Sequence, residues 1–206
     1  MQLLLAAAAQ LPSSKGLRGA TYATLIGLLA ATGLRPGEAL ALDRSDVDLQ
    51  SGILTIRQSK FGKSRLVPVT VSTCAALECY RRRRNELAAQ TQSEAFFISE
   101  RGTRLKGCTV RRTFAKLTRT VGLRAVVEGR RSGRGPRLQD IRHSFATRTL
   151  IDWYKAGLEV AVEWPKLATY LGHVDVGHTY WYIEAIPELL QLAAERLGTR
   201  VQGHRI

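Results

Sequence analysis

One stretch decides the class of fold. In GILTIRQSKFGKSRLVPVT, from Gly52 to Thr70, the runs ILTI and RLVPV are rich in β-formers. The SKFGKS between them has the composition of a turn, so the segment predicts a β-hairpin with Lys60 and Lys63 near its tip. Almost everything else carries helical spacing or helix punctuation. LLLAAAAQLP predicts a short helix ended by Pro12, SSKGLRG a loop, and ATYATLIGLLAATG an apolar helix stopped by Gly33. Pro36 suits the first turn of the next helix, and Glu38 lies near its positive end. VSTCAALECYRRRRNELAAQ predicts a helix with Val71, Cys74, Ala75, Leu77 and Leu87 on its apolar face and Arg81 to Arg84 beyond the core. EAFFIS reads as a short strand. LKGCTVRRTFAKLTRTVG is amphipathic, with Val110, Phe114, Leu117 and Val121 at helical spacing. QDIRHSFATRTLIDWYKAG and EWPKLATYLGH predict two more helices, the first with Phe145, Leu150 and Trp153 in the core and the second closed by Gly172. A helical segment with Tyr182 and a final helix opened by Pro187 complete a mainly α chain with a small antiparallel sheet (α+β).

Charge narrows the partner. From Arg57 to Arg142 there are 21 Lys or Arg against 6 Asp or Glu, whereas the rest of the chain has 10 against 11. A surplus confined to the middle of the chain attracts a polyanion, and nucleic acid is the expected one; the alternative is a solvated basic surface kept for solubility. No stretch is long or apolar enough to cross a membrane, and MQLLLAAAAQLP lacks the basic start of a signal peptide. Cys74, Cys79 and Cys108 fit neither a disulfide framework nor a paired zinc motif and are expected as small buried residues in a reducing cytoplasm. The Asp and Glu residues form no cluster that suggests a metal, and no cofactor is expected.

The stretch from Arg137 to Tyr182 carries the chemistry. RLQDIRHSFATRTL supplies Arg142 and His143, YLGH supplies His173, and Tyr180 and Tyr182 follow in HTYWY. A guanidinium grips two phosphate oxygens with a planar fork, histidine adds a donor, and a tyrosine hydroxyl can attack phosphorus. Upstream, Arg35 sits between two helices on a backbone that Gly33 and Pro36 hold fixed; its ordinary reading is a helix-flanking surface residue. Lys60 and Lys63 are either solvated or aimed at DNA. Arg111, Arg112, Lys116 and Arg119 occupy the polar faces of their helix, where phosphate contacts position DNA without reading its sequence. EGRRSGRGPR, residues 128–137, is a Gly- and Arg-rich loop, either a linker or a DNA-ordered segment. Trp153, Trp164, Tyr180 and Trp181 read as packing residues and His178 as a surface one.

Together these pieces resemble the catalytic domain of the tyrosine recombinases, the phage integrase family, over nearly the whole chain and in the family's order. ATGLRPGEALAL resembles its first-arginine motif, SKFGKSRLVPV its lysine-bearing hairpin, RLQDIRHSFAT its His-x-x-Arg-His segment, and YLGH with the tyrosine beyond it its C-terminal motif. The resemblance implies Arg35, Lys60, Gln139, Arg142, His173 and Tyr182 as catalytic, selecting Lys60 over Lys63 and Tyr182 over Tyr180. Glu38 and His143 are implied as supporting, and Lys63, Arg65, Arg111, Arg112, Arg134 and Arg137 as DNA contacts. It further implies duplex DNA as partner, a tetrameric synapse on DNA, a bacterial cytoplasmic setting, and a 3′-phosphotyrosyl intermediate formed without metal. Two departures stand out. Gln139 occupies the place of a histidine, and an amide does not exchange a proton near neutral pH. The family's N-terminal DNA clamp is expected to be absent from residues 1–206. A DNA-binding remnant that no longer cuts is therefore the second expectation, ahead of a type IB topoisomerase or an RNA-binding protein.

Overall fold

The structure is a computed structural model that describes residues 1–57, 64–87, 93–125 and 135–172. It divides into two compact units, Met1–Arg142 and His143–Ile206.

The first unit is built on α2 (Leu17–Thr32), which packs against α1 (Gln2–Ala9), α3 (Pro36–Ala41) and α4 (Val71–Leu87), with α5 (Gly107–Thr120) against α1 and α3. α2 begins three residues earlier than the sequence suggests, on a left-handed Gly16, and buries Leu17, Tyr22, Leu25, Ile26, Leu28 and Leu29. Gly19 is dictated by contact: a Cβ there would lie 2.3 Å from the carbonyl oxygen of Ala9, so the end of α1 lies against bare backbone. At the other end Gly33 adopts φ 61°, the left-handed turn that ends the helix, as expected from its position after the apolar run.

The expected hairpin is present. β2 (Ile53–Ile56) pairs antiparallel with β3 (Arg65–Pro68) in the register Ile56↔Arg65, Leu54↔Val67. A two-residue strand β1 (Val47–Asp48), which no sequence signal announces, pairs with the far edge of β2. Leu54, Ile56 and Val67 face the core, while Leu66 lies outside.

Several expectations need correction. In α4 the buried side chains are Leu77, Tyr80 and Arg84; Val71 is 87% exposed and Ala75 exposed, and the side chain of Leu87 is outside the described residues. At about 3.6 residues per turn Leu77, Tyr80 and Arg84 share one face, and Val71 and Ala75 lie opposite. Arg84, expected beyond the core, is 3% exposed and donates through Nη2 to the carbonyls of Ser93 (2.9 Å) and Ala95 (2.8 Å). The cysteines are free rather than buried: Cys79 and Cys108 are exposed and Cys74 half-buried. EAFFIS forms no strand. Ala95 bridges Asp43 and Ile98 bridges Arg104, with a bend between, because all four residues from Ala95 to Ile98 are buried and the two ends pair with different segments. Phe96, Phe97 and Tyr80 make an aromatic cluster, and the Tyr80 hydroxyl accepts from the Ile98 N–H at 3.1 Å. α5 follows its amphipathic pattern, burying Val110, Phe114 and Leu117; Val121 caps its end, half-buried.

The second unit takes up the rest of α6 (Asp140–Lys155) and α7 (Val160–Leu171), described to Gly172. Ala146, Leu150, Val160, Trp164, Leu167 and Leu171 form its core, with Phe145 and Trp153 partly buried against it. α7 starts before the EWPKLATYLGH segment and ends on Gly172 at φ 70°, as expected. The segment with Tyr182 and the helix from Pro187 lie outside the described residues.

Candidate functional site

The turn between α2 and α3 assembles the basic centre. Gly33 reverses the chain, Leu34 is buried, and Arg35 takes the extended backbone (φ −65°, ψ 141°) that a following proline favours. Pro36 then starts α3 without needing a hydrogen-bond acceptor for its nitrogen. Glu38, at the third position of α3, reaches back and accepts the Arg35 backbone N–H at 3.0 Å. It also accepts from Arg35 Nη1 at 2.9 Å. Backbone and guanidinium of Arg35 are thus held by one carboxylate.

A second arginine meets the same carboxylate. Arg65, the first residue of β3, donates to Glu38 through Nη1 at 3.0 Å and Nη2 at 2.8 Å. Strand alternation puts Arg65 on the face of buried Val67, which is why its side chain is only 14% exposed. That alternation is a legible signal for an inward-facing arginine that needs an acid. Burial pushes the Glu38 carboxyl up, but hydrogen bonds and charge from Arg65, with those from Arg35, outweigh it and hold the group below the ordinary glutamate range.

The third guanidinium comes from the far end of this unit. Arg142, in the first turn of α6, is 7% exposed, and its Nη1 donates to the carbonyl oxygen of Gly33 at 2.9 Å. Arg35 and Arg142, more than a hundred positions apart in sequence, therefore converge on one turn. Gln139 lies exposed just before α6, its carbonyl accepting the Arg142 N–H at 3.0 Å. Arg137 is exposed and pairs with Asp140, whose carboxylate accepts its backbone N–H at 2.8 Å. His143 follows Arg142 and is half-buried in the second unit. Arg111, Arg112, Lys116 and Arg119 are exposed on α5. Lys60, Lys63, Arg134, His173 and Tyr182 lie outside the described residues. Among the described residues no group of His, Cys, Asp or Glu is arranged to hold a metal ion. Chemically, one carboxylate held between the guanidiniums of Arg35 and Arg65, with the Arg142 guanidinium bonded to the Gly33 turn, leaves a surplus of positive charge suited to an oxyanion such as a phosphodiester.

The fold and this centre define a class, and the sequence comparisons agree on it. The pattern of the Phage integrase family matches residues 1–188, and the chain belongs to that family. It is 48% identical over 204 residues to the putative integrase/recombinase y4rB of Sinorhizobium fredii, covering 97% of this chain and 64% of that protein. Its fold is similar to the crystal structure of XerA recombinase, with a TM-score of 0.69 and 26% identity over 100% of this chain and 62% of that one. It is also similar to XerH site-specific recombinase bound to palindromic difH substrate in a post-cleavage complex, at TM-score 0.65 and 25% identity over 94% of this chain and 50% of that one. The chain thus spans less than two thirds of the length of these relatives.

Proposed function

We propose that this chain is the catalytic region of a site-specific DNA recombinase that cuts and rejoins strands through a 3′-phosphotyrosyl bond. The observation that carries the reading is the convergence of Arg142 and Arg35 on the Gly33 turn. Two guanidiniums held there neutralise a phosphodiester and the extra charge of its transition state, a preorganised arrangement that water cannot match.

The remaining steps follow from the family's roles. A phenol with a pKa of about 10 is a weak nucleophile until its proton is lost. The Tyr182 oxygen attacks phosphorus, the bond from phosphorus to the 5′ oxygen breaks, and Lys60 gives that oxygen its proton. His173 donates to a non-bridging oxygen, and Gln139 holds another by its amide. The phosphotyrosyl ester conserves the phosphodiester energy, so attack by a new 5′ hydroxyl rejoins the strand without ATP. Lys63, Arg111, Arg112, Arg134 and Arg137 hold the duplex, and His143 orients Arg142. Residues 1–206 form the catalytic region. The working assembly is a tetramer of such chains on duplex DNA, in the bacterial cytoplasm. No described helix is long and apolar enough to cross a membrane.

The test is covalent capture on nicked suicide duplexes carrying the DNA that flanks the gene. The wild-type protein is expected to form an adduct that survives denaturation, and Tyr182→Phe none. Equal adduct from both overturns the proposal. Salt-sensitive binding without adduct, restored to cutting by Gln139→His, instead identifies a recombinase weakened at position 139.

A further inference from the structure

Glu38 presents a puzzle of charge. A carboxylate has about four lone-pair sites, and here four donors meet it: Arg35 N at 3.0 Å, Arg35 Nη1 at 2.9 Å, and Arg65 Nη1 and Nη2 at 3.0 and 2.8 Å. A carboxylate paired with Arg35 alone cancels the charge that Arg35 needs for a phosphate. With Arg65 present, the group of three carries a net positive charge, and the Arg35 side chain remains 30% exposed. The bidentate, fork-to-fork contact belongs to Arg65, whose planar guanidinium lies toward the carboxylate from the β3 side.

We propose that Arg65 is a positioning residue: it neutralises Glu38 from the hairpin strand, so that Glu38 fixes Arg35 in place without cancelling its charge. The proposal rests on the recombinase reading of Arg35 and reassigns Arg65 from a DNA contact. It also gives the hairpin a second task. The strand that leads out of the lysine-bearing tip is tied, through Glu38, to the turn that holds the first arginine.

The decisive comparison is made in two backgrounds, with adduct rates measured at saturating duplex. In the wild-type background Arg65→Gln is expected to slow adduct formation by about 100-fold, the scale of a misplaced catalytic group. Arg65→Lys, which restores the charge, recovers most of the rate. In the Glu38→Gln background there is no carboxylate to neutralise, so adding Arg65→Gln changes the rate little; this pair also decides the matter if Arg65→Gln alone fails to fold. An equal loss in both backgrounds overturns the proposal and leaves Arg65 a packing residue. A salt slope of binding reduced by about one, with an unchanged rate at saturation, overturns it in favour of a phosphate contact. DNA affinity supplies a reading independent of cutting: Arg35→Gln is expected to weaken binding less once Arg65 is Gln, and additive losses overturn the proposal. Absence of adduct from both the wild-type protein and Gln139→His defeats the recombinase reading itself, and the affinity cycle then still decides the role of Arg65.

Discussion

Arg142 donates to the carbonyl oxygen of Gly33 at 2.9 Å, two residues ahead of Arg35, so the second arginine of the centre is built onto the turn that presents the first. The hydrogen bond joins the start of α6 to the end of α2. Neither helix alone could fix the distance between these two cationic groups.

Arg142→Lys tests this junction. Lysine keeps the charge but lacks the planar fork, so it cannot serve the Gly33 carbonyl and a phosphate with one fixed geometry. Adduct formation is expected to fall by about 100-fold or more, with duplex affinity far less affected. Thermal unfolding should report a destabilisation of about 1–3 kcal/mol from the weakened hydrogen bond at the buried end of α2. A lysine variant that cuts at the wild-type rate shows that charge alone suffices.

Glu38 makes the first unit sensitive to acid. Its carboxyl, pushed up by burial and drawn down further by Arg65 and Arg35, titrates below the ordinary glutamate value when folded. Its contribution to stability is therefore complete above about pH 4.3 and is lost as pH falls through the lower folded value. The stability difference between the wild-type protein and Glu38→Gln should be about 1–3 kcal/mol at neutral pH, reduced from a fully buried pair because Arg35 is partly exposed. It should shrink as the pH is lowered below that range. A difference that stays constant down to acid unfolding refutes the assignment.

How much of this is legible in the sequence depends on what each residue answers to. Gly33, Pro36 and Gly172 announce helix ends through their own backbone preferences, and ILTI and RLVP announce strands through side-chain shape, so these elements appear where the sequence puts them. Arg84 answers to neighbours that local pattern does not contain. Four consecutive arginines read as solvent-facing, yet the face set by Leu77 and Tyr80 carries the fourth of them inward to the Ser93 and Ala95 carbonyls. Ala95 to Ile98 mislead for the same reason: an apolar run shows that a segment is buried, not what it pairs with. At the centre, Arg35 with Glu38 is readable from three-residue spacing on a helix start. Arg65 with Glu38 is not, because nothing local relates a strand to a helix 27 positions away.

Arg84 gives a prediction about packing against hydrogen bonding. Its guanidinium sits among Tyr80 and the Ser93–Ala95 segment, where burial, helped by the Arg44 charge, pushes its pKa down. Arg84→Ala is expected to cost about 3 kcal/mol, from the missing volume and from two carbonyls left short of donors. Arg84→Met restores most of the volume and none of the donors. It should recover less than half of the stability in chemical denaturation. Full recovery by methionine means that the carbonyls find other partners and that the buried charge contributes nothing net.

The basic face of α5 is the remaining expectation about DNA. Arg111 and Arg112 are exposed, while the opposite face of the same helix is buried through Val110, Phe114 and Leu117. Substitution to alanine therefore leaves the core alone and removes only charge. Removing one arginine from a phosphate makes the slope of log affinity against log salt shallower by about one. Arg111→Ala and Arg112→Ala should each weaken binding at low salt, and equally for specific and random duplexes, because phosphate contacts carry no base information. An unchanged salt slope in both variants means that this face points to solvent in the complex, and the α5 arginines then serve solubility.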